Sequence, residues 1–226
     1  MNDRAAITRR YQDVKSLVND DVFALPRELT PTQMTNCRIL PSRYHMLRYL
    51  PKHARVAELG TQKGEFAKKI WQTCAPRELH LYDLSFHQQA YPFDRQYFSD
   101  MIDADKVMLH EGDSSTSLAQ MPDGYFDWIY IDADHSFDGV VKDIAVAKNK
   151  IKARGFLVFN DYTIFSALEL FQYGVHRAVN DLCLDEDYEI VYLALSTLDY
   201  HDVCLRRRQQ SWRAIARRFI TAIQAG

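Results

Sequence analysis

The chain reads as an α/β domain whose mostly parallel sheet is covered by helices on both faces. Three observations carry that expectation. From Val56 onward, short apolar runs alternate with helical stretches, the pattern of successive βα units. Five of those runs end on or beside an acid, namely Glu58, Asp83, Asp113, Asp132 and Asp161. The final two runs, Tyr188 to Leu195 and Asp202 to Leu205, are too close for a crossover helix, so they should pair antiparallel.

The elements follow in order. Residues 1–52 precede the first core strand and read as a helical cap or lid. Ala5 to Val18 can form a helix, the Pro26 to Pro31 passage breaks it, and Ser42 can cap a second helix that Pro51 ends. Val56 to Gly60 is a strand, Gly60-Thr61-Gln62-Lys63-Gly64 a tight turn, and Gly64 to Cys74 a helix. Leu79 to Asp83, Val107 to His110, Phe126 to Ile131 and Phe156 to Phe159 are the next strands, separated by helices over Arg95 to Ile102, Ser114 to Met121 and Gly139 to Ile151. Ser166 to Leu184 is expected to be helical before the closing hairpin. Residues 53–208 therefore form the main domain, and 209–226 a separate tail.

That tail places Trp212, Ile215, Ala216, Phe219, Ile220 and Ile223 on one helical face, with Arg213, Arg217 and Arg218 beside them. It suits packing on its own domain or on a second subunit, and alternatively a membrane surface. The net charge of −2 implies no general nucleic-acid affinity. The 47% hydrophobic content is enough for a sizeable core, and no apolar run reaches membrane-spanning length. Cys37, Cys74, Cys183 and Cys204 lack metal-type spacing, which suits idle thiols in a reducing cytoplasm.

The turn and the acids narrow the ligand. Glycines in a strand–turn–helix junction leave room for a ligand at the carboxyl edge of a parallel sheet. The turn is not G-x-G-x-x-G, and Glu58 beside it would repel a pyrophosphate. That disfavours a dehydrogenase. An acid after the second strand suits a ribose diol, and an acid or Ser after the third suits an adenine amine. A phosphate-free adenosine compound with an ammonium group, such as S-adenosylmethionine, meets all three conditions.

Glu58-Leu59-Gly60-x-x-x-Gly64, Asp83, Gly112-Asp113-Ser114, Ile131-Asp132-Ala133-Asp134-His135 and Phe159-Asn160-Asp161 resemble the class I S-adenosylmethionine-dependent methyltransferases. Within them, the chain resembles the metal-dependent O-methyltransferases of the catechol and caffeoyl-coenzyme A type. Asp132-x-x-His135-Ser136-Phe137 and Gly174-Val175-His176-Arg177-Ala178-Val179 also resemble the macrolide-sugar branch. The resemblance implies a Rossmann-like fold with a seven-stranded sheet and a terminal antiparallel hairpin. It implies transfer of a methyl group to a hydroxyl of a small molecule such as a phenol or sugar. Gly60, Thr61 and Gly64 with Glu58 would shape the methionine pocket, and Asp83 would hold the ribose. Asp113 and Ser114 would meet the adenine, and Thr35 occupies a further cofactor-contacting position. Asp132, Asp161 and Asn160 would hold a divalent cation, Mg²⁺ by preference, through hard oxygen ligands. His135 would act as base with Asp132 beside it. Tyr162 departs from the Asn that relatives carry after the second acid. The competing readings are a metal-independent methyltransferase, an aminopropyl transferase on the same fold, and a degenerate domain that binds a partner without turnover.

Overall fold

The computed structural model describes residues 5, 8, 9, 12, 13 and 27–208. Of the N-terminal helix expected over Ala5 to Val18, only the isolated positions fall within that range, and they are helical. The tail helix lies outside the described residues.

Two small helices and an edge strand open the described region: α1 (Pro31–Met34), β1 (Arg38–Leu40) and α2 (Arg43–Met46). The alternating core follows as β2 (Arg55–Leu59), α3 (Glu65–Cys74), β3 (Glu78–Asp83), α4 (Arg95–Asp103), β4 (Val107–Glu111), α5 (Ser114–Ala119), β5 (Phe126–Ile131), α6 (Phe137–Lys150) and β6 (Ile151–Phe159). A two-stranded excursion, β7 (Phe165–Ser166) and β8 (Phe171–Gln172), precedes α7 (Val175–Asp185), β9 (Tyr188–Ala194) and β10 (Asp202–Arg207).

The main sheet has eight strands in the order β1-β9-β10-β6-β5-β2-β3-β4. β2, β3, β4, β5 and β6 run parallel, and β10 lies antiparallel to both β6 and β9, as the short connection requires. The eighth strand corrects the expected seven. It is β1, which pairs parallel with β9 through Arg38↔Tyr192 and Leu40↔Ala194. Its three residues are too few to show a period, and their partner lies about 150 positions later in the chain.

Strand alternation sends neighbouring residues to opposite faces. Val56, Trp128, Tyr130 and Val158 enter one apolar cluster, and Ala57, Ile129, Ile131 and Leu157 the other. The sheet is thus buried on both sides, as a βα-wound sheet must be. Cys74, Cys183 and Cys204 are buried free thiols and Cys37 is half-buried, so the cysteines form no disulfide. Among the described residues, no helix is long and apolar enough to cross a membrane.

The stretch from Ser166 to Gly174 is not helical, contrary to expectation. Leu170 adopts a left-handed φ of 53°, which turns the β7–β8 ribbon, and α7 starts only after Gly174. Gly174 is needed there because a Cβ would lie 2.5 Å from Phe137 Cβ and nearer still to its backbone. The Gly174 N–H donates to the His135 carbonyl at 2.7 Å, which ties this ribbon to the loop after β5.

Candidate active site

The site lies at the carboxyl ends of β2, β5 and β6, where ligands of open α/β sheets bind. It is built around the turn between β2 and α3. Gly60 has φ +84°, and its N–H and that of Thr61 both donate to the Tyr82 carbonyl, at 2.9 and 3.2 Å. A Cβ on Gly60 would sit 2.8 Å from Ala133 Cα and 2.5 Å from the Asp132 carbonyl carbon, with the oxygen closer. The glycine is therefore required by the chain's own crossing of the β5 end, in addition to any ligand. Gly64, at φ +81°, caps α3 in the left-handed region, and a Cβ there would press on the Phe93 ring at 2.9 Å. Phe86, Phe93 and Phe98 are core residues rather than cleft lining, whereas Tyr91 is exposed.

Two adjoining cavities open here. One, of about 320 Å³, is walled by the turn with Glu58, Phe66, Asp132 and His135. The other, of about 520 Å³, lies among Ser42, Tyr44, Asp161, Leu198, Tyr200 and Asp202. Arg43 and Asp132 line both.

Glu58 is 1% exposed, and burial followed by the charge of Asp132 holds its carboxyl well above the usual range. Its Oε2 and the Thr61 hydroxyl oxygen are buried without a hydrogen bond of good geometry, although Thr61 is near enough to favour the carboxylate. Two orphaned polar atoms on a cavity wall are what a polar ligand would satisfy.

His135 stands between two acids. Its Nε2 is 3.4 Å from Asp132 Oδ1 and 3.6 Å from Asp161 Oδ2, and its ring stacks on Tyr173 at 4.5 Å. The contact with Asp132 is an ion-pair approach rather than a well-aligned hydrogen bond, since Nε2 has no geometric partner. Burial pushes the imidazole down, but Asp132, Asp161 and Glu169 outweigh it and hold it above its ordinary value. Burial and then the Asp132 charge push the Asp161 carboxyl up to about 6. Asp134, by contrast, accepts the Ser136 N–H at 2.8 Å and serves the loop.

The remaining expected contacts have other employment. Asp83 is buried, and it accepts from the Gln62 N–H at 2.7 Å, the Ser85 N–H at 3.2 Å and Gln88 at 3.3 Å. It thus pins the turn, with about one of its four acceptor positions left over. Asp113 caps α5. It takes the Thr116 N–H and the Ser115 and Thr116 hydroxyls, and it pairs with Lys142 at 2.8 Å. Lys142 and these hydrogen bonds hold its carboxyl well below the usual range. Three of these bonds fall on Oδ1 and only that of Lys142 on Oδ2, so the carboxylate is committed chiefly to its own helix cap. The Ser114 hydroxyl is turned to Asp143 at 2.7 Å. Thr35 lies away from the cleft altogether. It borders a separate cavity with Glu189 and Arg206, near the start of β9 and the end of β10, which is the opposite edge of the sheet.

The expected cation site does not fit the residues present. Asn160 Nδ2 donates to Asp132 Oδ1 at 2.9 Å, and its Oδ1 accepts from Arg43 Nη1 at 3.0 Å and lies 3.1 Å from the Tyr130 hydroxyl oxygen. A carboxylate only accepts and a guanidinium only donates, so this amide orientation is set by its partners. The amide oxygen therefore faces Arg43, not a space between Asp132 and Asp161. Among the described residues, no group of three or more His, Cys, Asp and Glu side chains is arranged to hold a metal ion. Tyr162 turns away from the cleft and donates to Asn180 Oδ1 at 2.6 Å.

Two residues of the cleft carry no signal in the sequence. Arg43 is presented by the Ser42-capped start of α2 and stacks over the Phe66 ring at 4.6 Å. Asp202, at the start of β10, is 3% exposed and accepts from the Tyr130 hydroxyl at 2.6 Å. Burial pushes its carboxyl up to about 8.

Residues 57–162 match a family model described as a methyltransferase domain. The domain has the class I methyltransferase fold. The match runs from within β2 to the residue after Asp161, so it holds the turn, Asp132, His135 and Asp161, whereas Arg43 and Asp202 lie outside it. The pyocyanin biosynthetic protein PhzM is similar at TM-score 0.54 and 15% identity, over 74% of this chain and 55% of that one. This chain thus spans about half the length of that relative. The geranyl diphosphate C-methyltransferase from Streptomyces coelicolor A3(2), solved with Mg²⁺, geranyl diphosphate and S-adenosyl-L-homocysteine, gives TM-score 0.54 at 10% identity over 74% and 80%. A tRNA methyltransferase from B. subtilis, TrmK, gives 0.54 at 13% over 76% and 67%. No curated protein matches the chain in sequence. A tRNA and geranyl diphosphate are very different acceptors, so the methyltransferase fold is shared and the acceptor is not fixed by it.

Proposed function

We propose that this domain binds S-adenosylmethionine in the cavity at the Gly60–Gly64 turn and methylates a hydroxyl of a small molecule held in the adjoining cavity. The observation that carries the reading is the position of His135 on the wall of the turn cavity, its Nε2 3.4 Å from Asp132, which lines both cavities, and 3.6 Å from Asp161, which lines the adjoining one.

S-adenosylmethionine supplies a sulfonium-bound methyl open to in-line displacement. The residues present suit its methionine end. The orphaned Glu58 Oε2 and Thr61 hydroxyl offer acceptors to an ammonium group, which would also return Glu58 to its charged form. Asp83 retains one acceptor position for a ribose hydroxyl. On the acceptor side, His135 takes the hydroxyl proton on Nε2 as the oxygen attacks the methyl carbon, and the C–S electron pair stays on sulfur. Asp132 and Asp161 stabilise the imidazolium that forms. The two cavities meet at Asp132 and Arg43, so acceptor and methyl donor would approach across that pair. The larger cavity suits a single ring or a comparably small polar molecule.

The test is methyl transfer from isotopically labelled S-adenosylmethionine to a panel of phenols, sugars and amines, followed by mass spectrometry. Labelled O-methyl product that vanishes with His135→Ala supports the reading. Label on nitrogen or carbon instead would overturn the hydroxyl assignment. Cofactor binding without transfer to any member would favour a non-catalytic binding domain.

A further inference from the structure

We propose that the guanidinium of Arg43 is the built-in cation of the acceptor site, taking the charge-compensating place between Asp132, Asp161 and Asp202 that a divalent ion would otherwise fill. The inference rests on the reading of this cleft as the acceptor end of a methyl-transfer site.

Arg43 is the point where the site's polar groups converge. It lines both cavities. One of its nitrogens reaches Tyr130 Oη at 3.2 Å and Asn160 Oδ1 at 3.0 Å. Tyr130 continues to Asp202, and Asn160 continues to Asp132, so the guanidinium is joined to two acids through one neutral group each. Its charge also acts directly on Glu58, Asp161 and Asp202 in the direction of keeping each ionised. A cluster of this many acids in a largely buried cleft needs a positive partner. His135 supplies one on the β7–β8 side. Arg43 supplies the other on the β1–α2 side.

The placement is rigid. Pro41 ends the edge strand, the Ser42 side chain accepts from the His45 N–H to cap α2, and the ring of Phe66 lies under the guanidinium. Stacking on an aromatic face and a fixed donor fork suit arginine better than lysine. The same contact turns the Asn160 oxygen away from Asp132, which removes a hard ligand from the acid pair. A single residue thereby both compensates part of the acids' charge and dismantles the cation site. This also accounts for Asn160 where a third acid would have strengthened metal binding.

The experiment is a Mn²⁺ titration of the full chain followed by electron paramagnetic resonance, with no acceptor or cofactor needed. The wild-type chain is expected to leave Mn²⁺ free up to roughly millimolar concentration, the weak end of carboxylate sites. Arg43→Ala is expected to gain one bound Mn²⁺ per chain, and adding Asp161→Asn to remove it. Arg43→Gln, which can still reach Tyr130 and Asn160 without the charge, covers the case in which the alanine variant fails to fold. Stoichiometric Mn²⁺ on the wild-type chain that Asp161→Asn abolishes would overturn the proposal. So would a folded Arg43→Gln chain that binds no Mn²⁺. Calorimetry with S-adenosylmethionine, run in parallel, reports on the methyltransferase reading separately. A chain that binds the cofactor and also Mn²⁺ defeats only the Arg43 assignment.

Discussion

Gly60→Ala is the substitution for which the structure gives the most specific expectation. The residue sits at φ +84°, where an L side chain costs roughly 1–2 kcal/mol. Its Cβ would also enter the backbone of Asp132 and Ala133, at 2.5 Å from the Asp132 carbonyl carbon. That backbone cannot retreat freely, because Asp132 N–H donates to the Leu59 carbonyl at 2.8 Å and Asn160 N–H to the Ile131 carbonyl at 3.0 Å. Overpacking against it should add about 1–3 kcal/mol. Gly124→Ala is the matched control, since Gly124 has φ +64° but open space around its Cβ. Urea unfolding followed by far-ultraviolet circular dichroism and tryptophan fluorescence measures both. Gly124→Ala should lose only the conformational share, and Gly60→Ala about 1–3 kcal/mol more, a further fall in midpoint of about 1 M for a urea slope of about 1–3 kcal/mol per M. Equal losses in the two variants would refute the claim that the turn is packed against the end of β5.

Further expectations follow from the titrating and capping groups. Asp202 has a folded-state carboxyl near 8, against about 3.9 when unfolded. The folded state therefore holds more protons between these values, so its contribution is full below about pH 4 and is lost as pH rises toward 8, by up to about 1.4 kcal/mol per pH unit. Asp202→Asn should flatten that slope in thermal melts across this window, and an unchanged slope would contradict the burial argument. For His135, the acid limb of the methyl-transfer rate should lie above the ordinary imidazole value, because Asp132 and Asp161 raise it against burial. The base must lose its proton first, so rate rises with pH. His135→Ala should lower the rate by about 10² to 10⁴ while leaving cofactor affinity within a few-fold. Asp113→Ala should cost about 1 kcal/mol through the lost cap of α5 and change cofactor affinity little, since the carboxylate is committed chiefly to its own helix cap and Lys142. Loss of cofactor binding with unchanged stability would restore the adenine role to Asp113.

Legibility in the sequence followed the range of the interactions involved. The βα alternation is a local signal, so β2 to β6 and the closing hairpin could be read from runs such as Phe126 to Ile131. The acids at their ends could be read too, and topology brings Asp132, His135 and Asp161 together at one edge. β1 escaped because three residues show no period and their partner is β9. The expected helix from Ser166 failed because the spacing of Ala167, Leu168 and Phe171 mimics a helical face, while the left-handed turn at Leu170 and the crowding of Gly174 against Phe137 delay α7 to Val175. Arg43 escaped for a similar reason. Its partners Tyr130 and Asn160 are 87 and 117 positions away, and nothing around Leu40-Pro41-Ser42-Arg43 signals them beyond a helix cap. Thr35 shows the converse case, a position matched by spacing that borders a separate cavity at the start of β9.

The central claim is that the turn cavity is an S-adenosylmethionine site, and calorimetric titration of the full chain with that compound tests it most directly. One molecule should bind per chain with a dissociation constant between about 1 μM and 1 mM. Asp83→Ala should abolish the heat, because it removes both the Gln62 anchor and the ribose acceptor. Absence of binding to the wild-type chain at millimolar ligand would contradict the account.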